Sequence, residues 1–138
     1  MARIAMLEQD ITESIIGAFY TVYNELRFGF LESVYATALE ELLSERGHVI
    51  AREATVPVCF RGKPITTQRL DMLVDNRVVV EIKSTEILHR SAHRQLLNYL
   101  RATALEVGLL LHFRPEPRFY RVVQSNPPLI RVDSPDPR

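Results

Sequence analysis

The sequence predicts an α/β fold, a mixed sheet flanked by helices, and two observations predict it. Apolar residues recur at helical spacing as far as Gly47 and then switch to alternation, the period of a strand. A further helical stretch then separates two apolar runs, as a crossover between strands of one sheet requires. The chain has 138 residues, 46% hydrophobic and 25% charged, which suits a single domain with its own core. That domain is expected over residues 1–124, with 125–138 a loose tail rich in Pro and polar residues.

Each element has its own signal. Leu7, Ile11, Ile15, Phe19, Val22 and Leu26 lie three or four apart, so the first stretch is an amphipathic helix. Asp10 or Thr12 can cap its start, and Gly29 can stop it. A second helix carries Val34, Leu39, Leu42 and Leu43 on or near one face and ends at Gly47. Val56, Val58 and Phe60 then alternate with Pro57, Cys59 and Arg61, before a turn at Arg-Gly-Lys-Pro. Leu70, Met72 and Val74 form one face of the next strand, and Arg77 to Lys83 reads as a third, rich in valine. Ser91 is a fair cap for a third helix, from about Ala92 to Ala104, with Leu96, Leu97 and Leu100 inward. Val107 to Phe113 is nearly all apolar, the mark of a strand buried on both faces. Phe119 to Val123 can add a last strand at the edge. The expected order is ααβββαβ(β), with the three strands before the crossover forming a meander.

The bulk composition excludes several classes. One cysteine, Cys59, allows neither an internal disulfide nor a cysteine zinc cluster. No apolar run approaches the roughly 20 residues that span a bilayer, and the start MARIAMLEQD lacks the layout of a secretory signal. A cytoplasmic protein with no membrane partner is expected. The formal net charge is zero, but the distribution is uneven. Met1 to Glu45 holds eight acids against Arg3 and Arg27, and the remainder holds fifteen bases against nine acids. Most of those bases are Arg, which suits forked contacts to phosphate. A zwitterionic surface whose halves attract each other accounts for the same numbers.

The residues that interrupt the apolar strands are the informative ones. In the third strand Val78, Val80 and Ile82 share one face, while Val79, Glu81 and Lys83 share the other. Asp71 interrupts the preceding strand between Leu70 and Met72. Whether Asp71 meets Glu81 depends on the turn. A two-residue loop at Asp75-Asn76 sets Asp71 against Val80, and a three-residue loop from Asp75 to Arg77 sets it against Glu81, about 5 Å away at Cβ. Carboxylates so close repel unless a cation lies between them, and oxygen ligands of this kind suit Mg²⁺ or Mn²⁺. The longer loop, or an equivalent bulge, is predicted. The plainer account is a solvent-facing hairpin with scattered charges.

Five segments in order bear on that choice: Gly29-Phe30-Leu31-Glu32-Ser33-Val34-Tyr35, Arg69 to Val74, Val80-Glu81-Ile82-Lys83, Gln95 to Leu100, and Val107 to Phe113. Together they resemble the GxxExxY protein family, a bacterial and archaeal group of the PD-(D/E)xK nuclease superfamily, over roughly Ile11 to Val123. The resemblance implies a restriction-endonuclease-like αβββαβ core with helices on both sides. It implies Asp71, Glu81 and the Ile82 carbonyl as metal ligands for Mg²⁺ or Mn²⁺, and Lys83 as the catalytic residue that orients water and offsets charge. It brings Glu32 to the site as a catalytic residue, a candidate ligand to a second metal or to a metal-bound water, although an acid in a first helical turn favours the helix dipole without any other role. Gln95 and Tyr99, four apart on one helix face, match a Gln-x-x-x-Tyr element that lies beside nucleic acid in the exonuclease-like branch. Half-buried packing for Tyr99 and simple exposure for Gln95 are the bland alternative. His93 lies two residues before Gln95, where the resemblance leads one to expect His three before, so its role stays open. With His89 it is four apart, but no third zinc ligand is evident. Tyr20, Tyr23 and Tyr35 have helical spacing and read as core rim.

The function implied is a metal-dependent phosphodiesterase acting on DNA, less readily RNA. The alternative is a catalytically silent module that binds nucleic acid or protein and keeps the fold. A homodimer or a larger protein partner is compatible with both.

Overall fold

The computed structural model describes residues 8–125. Leu7 and the tail after Ser125 lie outside the described residues.

Helix α1 spans Gln9–Leu26 and buries Ile11, Ile15, Ala18, Phe19 and Val22, the stripe that the apolar spacing predicts. Neither Asp10 nor Thr12 caps it. Glu8, at φ 52°, precedes the first turn, and the Thr12 hydroxyl donates to the Gln9 carbonyl at 3.1 Å. Asp10 sits inside the first turn, where a negative charge opposes the exposed N–H dipoles. The helix stops at Arg27, φ 63°, ahead of Gly29. The buried Tyr35 hydroxyl donates to the Arg27 carbonyl and accepts from the Phe30 N–H, so one side chain ties down the whole linker. Helix α2, Glu32–Glu45, follows. Gly47 just beyond it adopts φ 94°, a conformation that residues with a Cβ rarely hold.

Among the described residues seven strands and one helix follow: β1 Ile50–Arg52, β2 Thr55–Phe60, β3 Lys63–Arg69, β4 Met72–Val74, β5 Val78–Ser84, α3 Ser91–Thr103, β6 Val107–Phe113 and β7 Arg118–Val123. The main sheet has the order β1-β4-β5-β6-β7, with β5 and β6 parallel and the other pairs antiparallel. The mixed sheet is as expected, but the meander is not. β2 pairs with β3 in a hairpin of its own, and the short β1 takes the edge beside β4. Exposed hairpin edges invite pairing with other chains. Here Pro57, Pro64 and a bulge between Val58 and Cys59 interrupt them.

The sheet separates two apolar layers. Below it α1 and α2 pack on Met72, Val74, Val78, Val80, Ile82, Leu109, Leu111 and Phe113. Tyr35 stacks on Phe113 at 3.8 Å between centroids, and Phe19 meets the same ring edge-on at 4.8 Å. Above it α3 packs on Leu70, Val79 and Leu110. Leu70 therefore faces away from Met72 and Val74, because the chain bends at Asp71 before β4 begins. All seven β6 residues are buried, as a strand covered on both faces requires.

Gly108 lets α3 approach that closely. A Cβ there would lie 2.9 Å from Leu96 Cδ1. Gly108→Ala is expected to cost about 1 to 3 kcal/mol through overpacking, read as a lower urea midpoint. An unchanged midpoint would show that Leu96 can give way.

Candidate functional site

The turn between β4 and β5 sets the geometry. Asp75 and Asn76 both take positive φ, 53° and 59°, and the Arg77 N–H reaches the Val74 carbonyl at 3.0 Å. That is the mirror-image turn favoured by the twist of hairpins. Arg77 is then an added residue, because the ladder pairs Val74 with Val78, Leu73 with Val79 and Met72 with Val80. This is the three-residue loop that the sequence predicts. Continued one step, the register faces Asp71 with Glu81.

Main-chain pairing stops at Met72, where the chain bends. Asp71 takes over with its side chain, Oδ2 accepting from the Ile82 N–H at 2.8 Å. Glu81 is 4% exposed, on the α3 side of the sheet with Val79. Its Oε2 lies 3.6 Å from Lys83 Nζ, and its Oε1 is buried without a hydrogen-bond partner. Burial and then the charge of Asp71 push the Glu81 carboxyl up to about 8, with Lys83 pulling the other way. Tyr99 of α3 lies near this group. Burial, then the charges of Glu81 and Asp71, push its phenol up to about 12. Asp71, Glu81 and Lys83 thus form one cluster, with Tyr99 close enough to feel both acidic charges. Gln95, one turn earlier on α3, is exposed.

Glu32 approaches from the other side. It lies in the first turn of α2, and its Oε2 accepts from the Ser84 N–H at 3.1 Å. The Ser84 hydroxyl donates to the Phe30 carbonyl at 2.6 Å, so the end of β5 and the start of α2 are stitched together. Glu32, Asp71 and Ile82 line one shallow depression of about 180 Å³ with Ser33, Ala36, Arg52 and Glu53. Among the described residues, no group of three or more His, Cys, Asp or Glu side chains converges tightly enough to enclose a metal ion.

Sequence reasoning missed three participants. Arg52 lines the depression and pairs with Glu40 at 2.9 Å; it sits on a strand of three residues, too short to show a period. Ser84 is an ordinary strand-end residue in the sequence. His112, 1% exposed, lies opposite Lys83 on β6, and its Nε2 reaches the Thr85 carbonyl at 2.8 Å, fixing the loop after β5. Burial holds its imidazole below its usual value. A polar residue inside an otherwise apolar strand was the available signal.

His93 packs edge-on against Tyr120 at 4.8 Å. His89 Nδ1 accepts from the Ser91 N–H at 3.1 Å, closing the start of α3 where a Ser91 cap was expected. Neither histidine faces a metal cluster among the described residues.

A second constellation lies away from this cluster. Ser14 Oγ is 2.7 Å from His48 Nε2, and His48 Nδ1 is 2.6 Å from Asp75 Oδ2. The order is that of a nucleophile, base and acid, but Ser14 lies beyond the first turn of α1, where the backbone N–H groups are already used within the helix. Without such donors an oxyanion has no support. The trio is a clamp. Asp75 also accepts from the Val49 N–H at 2.8 Å, so it ties α1 and β1 to the turn that sets the strand register. Partial burial works against the Asp75 charge, but the Val49 and His48 bonds prevail and hold the carboxyl below its usual value.

Comparison with known proteins agrees with this architecture. A family profile described as the PD-(D/E)XK nuclease superfamily matches residues 9–122. Among solved structures, the crystal structure of SSO0001 matches with a TM-score of 0.55 at 20% identity, covering 90% of this chain and 62% of that one. The chain thus spans less than two thirds of that protein, and the likeness speaks for the restriction-endonuclease-like fold. No curated protein matches. No described helix is long and apolar enough to cross a membrane.

Proposed function

Because the chain belongs to the PD-(D/E)XK nuclease superfamily, we propose that it is a divalent-metal-dependent nuclease of the GxxExxY group, hydrolysing phosphodiester bonds in DNA. One observation carries this reading. Asp71, at the bend just before β4, and the buried Glu81 of β5 are crowded together, with the Lys83 ammonium 3.6 Å from Glu81.

The donor set fits a divalent cation. Glu81 Oε1 is buried with no partner, and the mutual repulsion of two carboxylates is what a cation between them removes. Two carboxylates and a backbone carbonyl, with water and substrate phosphate filling the remaining positions, are a usual shell for Mg²⁺. Asp71, Glu81 and the Ile82 carbonyl would hold it, with Glu32 able to serve a second ion across the depression. Such an ion supplies Lewis-acid charge at a phosphoryl oxygen.

The remaining work falls to the protein. Lys83, partly exposed beside Glu81, orients the attacking water and offsets the negative charge that grows on phosphorus oxygens. The Tyr99 phenol stays protonated over the working range and serves as a hydrogen-bond donor to a phosphate oxygen. Gln95, exposed on the same helix face, would contact the nucleic-acid strand. Ser84 holds Glu32 in place, and Tyr35 fixes the linker from which Glu32 emerges.

The near-complete burial of Glu81, 4% exposed, favours a second reading, a module that binds nucleic acid without cutting it. Asp71→Asn separates the two. The parent is expected to bind Mn²⁺ saturably and to cut DNA, and the variant to bind Mn²⁺ at least tenfold more weakly and cut nothing measurable. A parent that cuts neither single- nor double-stranded DNA or RNA, and titrates Mn²⁺ no differently from the variant, would discard the nuclease.

A further inference from the structure

Two segments of this chain contain no acid at all, and the fold brings them together. Residues 54–70, the β2–β3 hairpin, carry Arg61, Lys63 and Arg69. Residues 87–105, which include α3, carry Arg90, Arg94 and Arg101. Spacings of four and three put Arg90, Arg94, Asn98 and Arg101 in one stripe of the helix, and all four are exposed. Asn98 and Arg101 line an open groove of about 450 Å³ with Pro57, Val58, Cys59 and Gln68 of the hairpin. Helix and hairpin therefore present one continuous surface.

This surface begins at the candidate site. The hairpin grows out of Asp71, since its base is closed by Glu53 N–H to the Asp71 carbonyl at 3.1 Å and Leu70 N–H to the Ala54 carbonyl at 2.8 Å. α3 packs on the face of the sheet that carries Val79, and Tyr99 of that helix feels the charges of Glu81 and Asp71. A six-residue strand reaches about 20 Å, and a 13-residue helix about the same.

Resting on the nuclease reading for its ligand, we propose that the β2–β3 hairpin and the arginine stripe of α3 form a track for the DNA phosphate backbone leading to Asp71 and Glu81. Phosphates of one strand recur about every 3.4 Å, so a track of this length meets about six of them. The contacts are to backbone charge, which fixes register without reading sequence. Arg61 and Lys63 at the hairpin tip grip the far end, and Arg94 and Arg101 the middle.

The test uses the full chain and a labelled DNA duplex longer than the track, in chelator-containing buffer so that binding is measured without cleavage. Each cation that neutralises a phosphate contributes about 0.9 to the slope of log affinity against log salt. The double variants Arg61→Ala/Lys63→Ala and Arg94→Ala/Arg101→Ala are each expected to lower that slope by about 1.8 and to weaken binding at low salt tenfold or more. Arg46→Ala, beyond the end of α2, should match the parent, and circular dichroism should report parental folding for all. Slopes unchanged in both double variants, an equal loss in Arg46→Ala, or a parent that does not bind DNA would each overturn the track. Cleavage measured in parallel keeps the two ideas apart. A parent that cuts while the slopes stay put removes only the track, and a parent that binds through these arginines but never cuts removes only the nuclease.

Discussion

Lys83→Ala is expected to slow DNA cleavage by about 100- to 1000-fold, the usual cost of deleting one preorganised group that meets transition-state charge. Mn²⁺ affinity should change only a few-fold, because Lys83 donates and cannot ligate. Its side chain is 28% exposed against 6% for Glu81, so the ammonium reaches outward to where a phosphate would lie. Arginine should rescue little, since a planar fork does not occupy the position of a compact ammonium. Single-turnover cleavage and a Mn²⁺ titration on the same preparations decide it. A variant that cuts like the parent would remove Lys83 from the reaction, and one that loses Mn²⁺ would make its role one of assembly.

Glu81→Gln should have the opposite effect on the fold to its effect on catalysis. In metal-free buffer the Glu81 carboxyl lies at about 8, against an ordinary 4.5, first because it is buried and then because Asp71 is charged nearby. A raised carboxyl contributes stability that is fully present below the unfolded value, about pH 4.5. That contribution fades as pH rises, since the unfolded chain ionises and the folded one does not, and it is gone above about pH 8. At one pK unit per 1.36 kcal/mol, the loss by pH 7 is on the order of 3 kcal/mol. Glutamine does not titrate. The variant should therefore outlast the parent in urea by about that much at pH 7, while the two unfold alike at pH 4. Saturating Mn²⁺ should restore the parent and leave the variant behind. Equal stability at pH 7 would mean that Glu81 is already solvated or paired in solution, and the proposed site would lose its reason for wanting a cation.

What the sequence disclosed follows from which residues have a buried face. α1, β5 and β6 each bury a full stripe or both sides, so their period is visible and their limits fall close to expectation. Asp71, Glu81 and Lys83 were legible for the same reason, as charges breaking an apolar rhythm. β3 was not, because Lys63-Pro64-Ile65-Thr66-Thr67-Gln68-Arg69 is exposed along nearly all its length and has no rhythm to break. β1 is three residues long and exists by pairing with β4. The bend at Asp71, which turns Leu70 to the opposite layer, is set by tertiary packing, and alternation alone led to the wrong face. Tyr35 read as rim and is instead wholly buried, stacked on Phe113 and holding the linker before Glu32. A single hydroxyl bonded to two backbone groups leaves no trace in composition.

The short loop between β4 and β5 has a consequence for how the protein folds. Asp71, Glu81 and Lys83 belong to one local hairpin, whose ends close over few residues and can meet early. At that stage water still surrounds both acids, and their repulsion is weak. α3 and β6 come later in the chain, and only when they dock does the solvent leave. The hairpin therefore brings the two acids together while water still screens them, and the docking that expels the water leaves Glu81 holding a proton at neutral pH until a cation replaces it.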